Sequence, residues 1–318
     1  MKSGHAYCVL GLLALASCHS DRSQLSQRHH PTNVGLGLDP VRWSPIPFRL
    51  TGANNLAVSA KVNGHGPLEL MFHTSFSGLG LTREAVQRFP DLLFDQEVSV
   101  NSWGGKAQAR ISTGNELTIG DCTLAGVTIL EDQNSGPGTD GKFGPDLFAP
   151  YVVTIDFDAS RLILSKELPA LGPGFDEVGD SVRDGMAFVR ATLGNGNEVI
   201  EQSFLLHSGY SGNLLLDAQF VAKHPWIGAL EVQEEHTLTD SFGNEVRTKT
   251  VVLPDLQVGR THFHHLPVQF FEGTLGQARM SVMGGGLLRR FQIVLDLQGS
   301  RVAFQAREGS DSATRGPR

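Results

Sequence analysis

The sequence predicts an all-β chain folded as two similar lobes. Three observations carry this. Apolar residues come in short, loosely alternating runs bounded by Gly, Asn and Asp turns. Helical signals are confined to two short stretches. Five blocks of the first half recur in the second half in the same order, 134 to 140 positions later. That period is far longer than a solenoid repeat and is the size of a small domain.

The chain of 318 residues opens on a targeting segment rather than on fold. Lys2 precedes an apolar run, Val9 to Ser17, too short to span a membrane as a helix. The run ends in Leu15-Ala16-Ser17-Cys18, which resembles the lipobox of bacterial lipoproteins. The resemblance implies that residues 1–18 are a lipoprotein-type signal and that acylated Cys18 becomes the membrane anchor. His19 follows it rather than Asp, so no inner-membrane retention signal is visible. The expectation is a lipid-anchored protein of the bacterial cell envelope, facing the outer membrane or periplasm. The plainer alternative is an ordinary secretory signal. Residues 19–40 read as a flexible tether, and its pair His29-His30 as solvated linker.

The first lobe is expected over 41–166. Leu56 to Val62, the turn Asn63-Gly64, and Leu68 to Phe72 form a hairpin. The second copy repeats it with Ala187 to Leu193, Gly194 to Asn197, and Val199 to Leu206. A second hairpin in each copy carries an aromatic near its tip. One flanks Trp103-Gly104-Gly105, the other Phe242-Gly243-Asn244. Thr82 caps a helix from Arg83 to Phe89 that Pro90 ends, and Asp217 caps one from Ala218 to His224 that Pro225 ends. Residues 167–180, with Pro169, Gly172, Pro173 and Gly174, read as the linker. The second lobe then covers 181–306, and 307–318 is a polar, disordered tail.

Net charge is −7 with no basic run, which argues against a nucleic-acid partner. Of three cysteines, Cys8 and Cys18 fall in the signal, so Cys122 has no partner for an internal disulfide and reads as structural.

The two most alike stretches are Met71-Phe72-His73-Thr74-Ser75 and Leu205-Leu206-His207-Ser208-Gly209. Each is an apolar strand end followed by His and small residues. With the hairpins at Trp103 and Phe242 and the segments Phe143-Gly144 and Met283-Gly284, their order resembles a tandem of retropepsin-like lobes. That is the pepsin-like aspartic protease family in its bacterial form. Matching ends run from Gly144-Pro145-Asp146-Leu147-Phe148 to Asp156 and from Gly284 to Asp296, and the resemblance covers about Val41 to Gln305. It implies two β-barrel lobes about an internal pseudo-two-fold, a cleft between them, two flaps, and loops tied together by Thr74 and Ser208. Trp103 and Phe242 would then line the ligand groove.

The departure from the family lies at its chemistry. Both catalytic Asp positions hold His, at 73 and 207, and Ser75 stands where the family has Gly. Paired carboxylates share one proton so that one acts as base and the other as acid. Paired imidazoles instead resist double protonation and stay neutral. The reading is a catalytically degenerate, monomeric member that binds a peptide-like or other extended ligand without cutting it and needs no cofactor. Each buried His should then find a hydroxyl or backbone partner, with Thr74 and Ser208 as candidates. Three alternatives stand beside it: an active hydrolase using His-based chemistry, a metal site using His73 and His207, and a pH-responsive pair. In His262-Phe263-His264-His265, alternation puts His262 and His264 on one strand face and His265 on the other, which reads as a solvated strand edge rather than a ligand set. Asp156 and Asp296 read as turn residues.

Overall fold

The computed structural model describes residues 43–102, 105–272 and 280–308, and for 101, 102, 105 and 106 the backbone alone. The expected Cys18 anchor, the signal, the tether, Trp103 and most of the tail lie outside the described residues.

The described chain is overwhelmingly β. Seven strands of the first half are β1 (Leu56–Val62), β2 (His65–Phe72), β3 (Leu79–Thr82), β4 (Gln96–Ser102), β5 (Gly105–Ile119), β6 (Cys122–Asp132) and β7 (Gly141–Phe143). Seven of the second half are β8 (Met186–Gly194), β9 (Val199–His207), β10 (Leu214–Leu216), β11 (Val232–Thr239), β12 (Glu245–Val258), β13 (Thr261–Phe271) and β14 (Val282–Gly284). The order β1-β2-β7-β3-β6-β5 closes on itself through a β1–β5 pairing. The order β8-β9-β14-β10-β13-β12 closes in the same way through β8–β12. Closure removes the exposed edges of each ring. The outer strands β4 and β11 extend beyond the rings on β5 and β12.

Local chemistry explains these elements. In β1, alternation buries Val58, Ala60 and Val62 and exposes Ser59 and Lys61. Asn63 and Gly64 take φ of 50° and 78°, the two left-handed positions of a tight hairpin turn. Thr82 Oγ1 accepts from the Ala85 amide at 3.1 Å and starts α1 (Arg83–Gln87). Asp217 Oδ1 accepts from Phe220 N at 2.9 Å and starts α2 (Ala218–Lys223). Pro225 does more than end α2: it occupies the first turn of a further short helix, Pro225–Gly228, where its missing N–H costs nothing.

A third, six-stranded sheet takes strands from both halves. At its centre Val152–Asp156 runs antiparallel to Phe291–Asp296, with Val153 opposite Leu295, Thr154 opposite Val294, and Ile155 opposite Ile293. These are two of the blocks that recur in the sequence, here paired to each other about Thr154 and Val294. Asp156 accepts from Ala159 N and Arg161 Nε, and Asp296 from Gly299 N, so both serve as turn residues. One continuous apolar core, from Ile46 to Phe304, fills both rings and the inner face of this sheet.

Two stretches differ from the sequence reading. Residues 167–180 are not all linker: Phe175–Glu177 pairs with Arg301–Ala306, and Gly179 begins a strand on β8. The Pro and Gly residues there precede these strands rather than replace them. His265 does not alternate inward; its φ of 54° breaks the period and leaves it exposed like His262 and His264. Their strand, β13, is internal to the sheet, and only its outer face is solvated.

Candidate functional site

Strand β2 delivers His73 just beyond its end, and β9 ends on His207. Parallel partners hold both ends in register: Phe72 faces Phe143 of β7, and His207 faces Gly284 of β14. The backbones then turn sharply. Phe76 N donates to His73 O at 3.0 Å, and Tyr210 N to His207 O at 3.1 Å. Gly144 and Gly284 are required by this turn. A Cβ on Gly144 would lie 2.0 Å from Phe76 O, and one on Gly284 would lie 2.4 Å from Gly212 O.

The two loops are bonded to each other. Thr74 Oγ1 donates to Leu206 O at 2.7 Å and accepts from Ser208 N at 3.0 Å. Ser208 Oγ donates to Phe72 O at 2.7 Å and accepts from Thr74 N at 3.0 Å. This reciprocal exchange sits at zero exposure. Asn54 and Asn55 add side-chain amide bonds to Ser211 O and Ser208 O, at 2.9 and 3.1 Å.

The clasp brings His73 and His207 together, with ring centroids 4.6 Å apart and planes at 62°. Both are buried, at 9% and 5% exposure. Sequence symmetry does not carry through to the side chains. His73 lies against the opposite loop, where a Cβ on Gly209 would fall 2.3 Å from its Nε2. The matching position in the first loop is Ser75. Ser75 stands beside His73: its backbone N and its Oγ both lie 3.3 Å from His73 Nδ1. The hydroxyls of Thr74 and Ser208 are committed to the interloop clasp.

Burial, aided by the nearby Lys142 charge, pushes the His207 imidazole down to about 3. His207 is therefore neutral throughout the range in which an ordinary His titrates, which removes it as a switch between pH 5 and 8. No group of three or more His, Cys, Asp or Glu among the described residues is arranged to hold a metal ion, so none of these residues gives the pair a third ligand. The Cys122 thiol, pushed up to about 12 by burial, is inert.

Sequence reasoning missed the charged neighbours of the pair. Lys142, at 3% exposure, projects from the short apolar strand β7. Its Nζ lies 3.0 Å from Asp132 Oδ2, 4.8 Å above the Phe76 ring, and in a hydrogen bond to Ser241 Oγ. Burial holds the Asp132 carboxyl above its ordinary value, against the pull of Lys142. The signal was present, since Lys142 stands where the second copy has Val282. Asp146 was also missed as a prop. It accepts from Ser77 Oγ at 2.8 Å and from Gly78 N, and so holds the first loop from below.

Phe242, half-buried at the tip of the β11–β12 hairpin, lines a pocket of about 220 Å³ with Arg83, Glu97, Arg110, Glu131 and Gln133. Glu131 there is held well below the usual carboxylate range by its paired hydrogen bonds from Arg110. The chain matches no protein-family model and none of the curated proteins with which it was compared.

Proposed function

We propose that this chain is a non-hydrolytic relative of the two-lobed aspartic proteases, tethered to a bacterial envelope through a lipidated Cys18 and binding an extended, peptide-like ligand between its halves. The observation that carries this reading is the His73–His207 pair at 4.6 Å, on loops clasped by reciprocal Thr74 and Ser208 bonds. Two closed six-strand rings of one order, related by self-pairing of a recurring segment, support a pepsin-like duplication. The family's water activation rests on two carboxylates sharing one proton, and neither carboxylate is present here, with His at 73 and 207 in their place. Among the described residues the outer strands β4 and β11 each pair on one side and offer backbone groups on the other to an extended ligand. The Phe242 pocket supplies an aromatic wall and an adjacent ion pair.

The test is incubation of the purified chain with a mixed peptide library from acid to neutral pH, read by mass spectrometry. The expected result is retention of some peptides and cleavage of none. Cleavage abolished by both His73→Ala and His207→Ala overturns the proposal in favour of His-based hydrolysis. Stoichiometric bound metal lost in the same variants overturns it in favour of a metal site. Anchoring is tested separately by labelling cells with a fatty-acid probe: incorporation should vanish in Cys18→Ser.

A further inference from the structure

We propose that His262, His264 and Asp255 gather a divalent transition-metal ion on the outer face of the second ring. His262 and His264 alternate along β13, so both rings leave the same solvated face. Their planes lie within 19° of each other and their centroids 6.3 Å apart. Asp255, on β12, is the register partner of His264. Its Oδ1 lies 3.0 Å from His264 Nδ1 and 3.9 Å from His262 Nδ1. That oxygen is buried and accepts no hydrogen bond among the described residues. From β8 the register partner of Asp255 is Gly194, so no side chain at that position caps the carboxylate. Alternation alone marks a solvated strand; the structure adds a carboxylate oxygen shared by two imidazoles.

A buried carboxylate oxygen left unpaired is unfavourable, and a cation beside it removes that penalty. Ligands about 2.1 Å from a tetrahedral Zn²⁺ stand about 3.4 Å from one another. The two nitrogen–oxygen separations bracket that value. As they stand the three groups do not enclose an ion, because the rings are too far apart. Their side chains are 49% and 61% exposed, so turning the rings toward Asp255 disturbs little packing. Imidazole with a carboxylate suits Zn²⁺ and Cu²⁺ rather than Mg²⁺, with Cu²⁺ held tightest. Water completes the coordination, and the bound ion links β12 to β13 and favours the folded chain. The site is distinct from the His pair. Gly194 pairs with Val199 at the start of β9, and His207 ends that nine-residue strand. An extended strand of that length spans about 26 Å. The metal site therefore stands whether or not the cleft takes the ligand proposed above.

The experiment titrates the full, untagged chain, first stripped with a chelator, with Cu²⁺, Zn²⁺ and Mg²⁺ by isothermal calorimetry. Diethyl pyrocarbonate modification is followed residue by residue by mass spectrometry. One equivalent of Cu²⁺ or of Zn²⁺ should bind, Cu²⁺ the tighter, and Mg²⁺ should not. With free Zn²⁺ at about ten times its Kd, modification of His262 and His264 should slow about tenfold, while exposed His65 reacts as before. His262→Gln, His264→Gln and Asp255→Asn should each weaken Zn²⁺ binding at least about tenfold. His29→Gln/His30→Gln should leave it unchanged. Near-ultraviolet circular dichroism checks that each variant is folded; where one is not, protection of His262 and His264 in the native chain decides. No protection at saturating Zn²⁺ overturns the site. So does binding that is lost with the His29/His30 variant or with His73→Ala, or that survives Asp255→Asn within about twofold.

Discussion

Thr74 and Ser208 each donate to the far loop's carbonyl and accept the far loop's amide, and both are wholly buried. A buried amide or carbonyl left unpaired costs about 1–3 kcal/mol. Thr74→Val keeps the shape and orphans both Leu206 O and Ser208 N, so it should cost about 2–4 kcal/mol in denaturant unfolding, while Thr74→Ser stays near wild type. A loss below about 0.5 kcal/mol for Thr74→Val would show that the clasp is not structural. His207 makes a second prediction at this scale. Its folded value of about 3 lies below its ordinary 6.5. Between those limits the unfolded chain binds a proton that the folded chain refuses, so stability falls as pH falls through this window. Measured against His207→Gln, wild type should lose roughly 1 kcal/mol per pH unit on acidification from about 6 toward 4. The carboxyls of buried Asp132 and half-buried Asp146 are raised and act with the opposite sign, losing stability as pH rises, but they are common to both proteins and cancel in the difference. A flat difference would place His207 in contact with water.

The turn at Pro145–Phe148 shows how one short element positions a site. Its Asp146 is half-buried, and its carboxylate receives the Ser77 hydroxyl and the Gly78 amide, which fixes the far side of the His73 loop. Asp146→Ala should cost about 2–3 kcal/mol and loosen the loop, seen as faster exchange at Gly78 with the β9 amides unchanged. Equal loosening of both loops would contradict a local prop. This element was hard to read from sequence. Its counterpart after Gly284 is Gly285–Leu288, which has Gly286 at the matching place, so the repeat did not mark the Asp. The strands and caps were legible because alternation, Asn63-Gly64, Thr82 and Asp217 act through neighbours in the chain. His73 and His207 were legible as a pair because the repeat aligned them. The tie between Thr74 and Ser208 was expected through the family resemblance alone, and the Lys142–Asp132 pair and its contact with Ser241 depend on residues apart in sequence, about which period carries no information. His265 misled for the same reason: its left-handed backbone belongs to the β12–β13 register rather than to alternation.

At the scale of the whole molecule, the recurring blocks suggest two independent units, but the packing does not. The six-stranded sheet is assembled from both: Val152–Asp156 and Phe291–Asp296 are each other's central neighbours. Phe175–Glu177 and Gly179–Arg183 tie the connecting segment into that sheet and the second ring. Separated, each half would expose the edge of its share of that sheet, and the Thr74 or Ser208 hydroxyl would lose its buried partners. The apolar core runs on through the sheet from one ring to the other, so the cut would also bare apolar surface. Fragments 43–166 and 167–308, expressed alone, should therefore be insoluble or lack fixed tertiary structure by near-ultraviolet circular dichroism, whereas co-expression should yield a 1:1 complex. The intact chain should unfold in one calorimetric transition despite its length, because no division of it leaves two closed cores. Two resolved transitions, or one fragment folding alone with native amide protection, would mean that the shared sheet is a late docking surface. The His pair would then be a property of that docking rather than of a single cooperative fold.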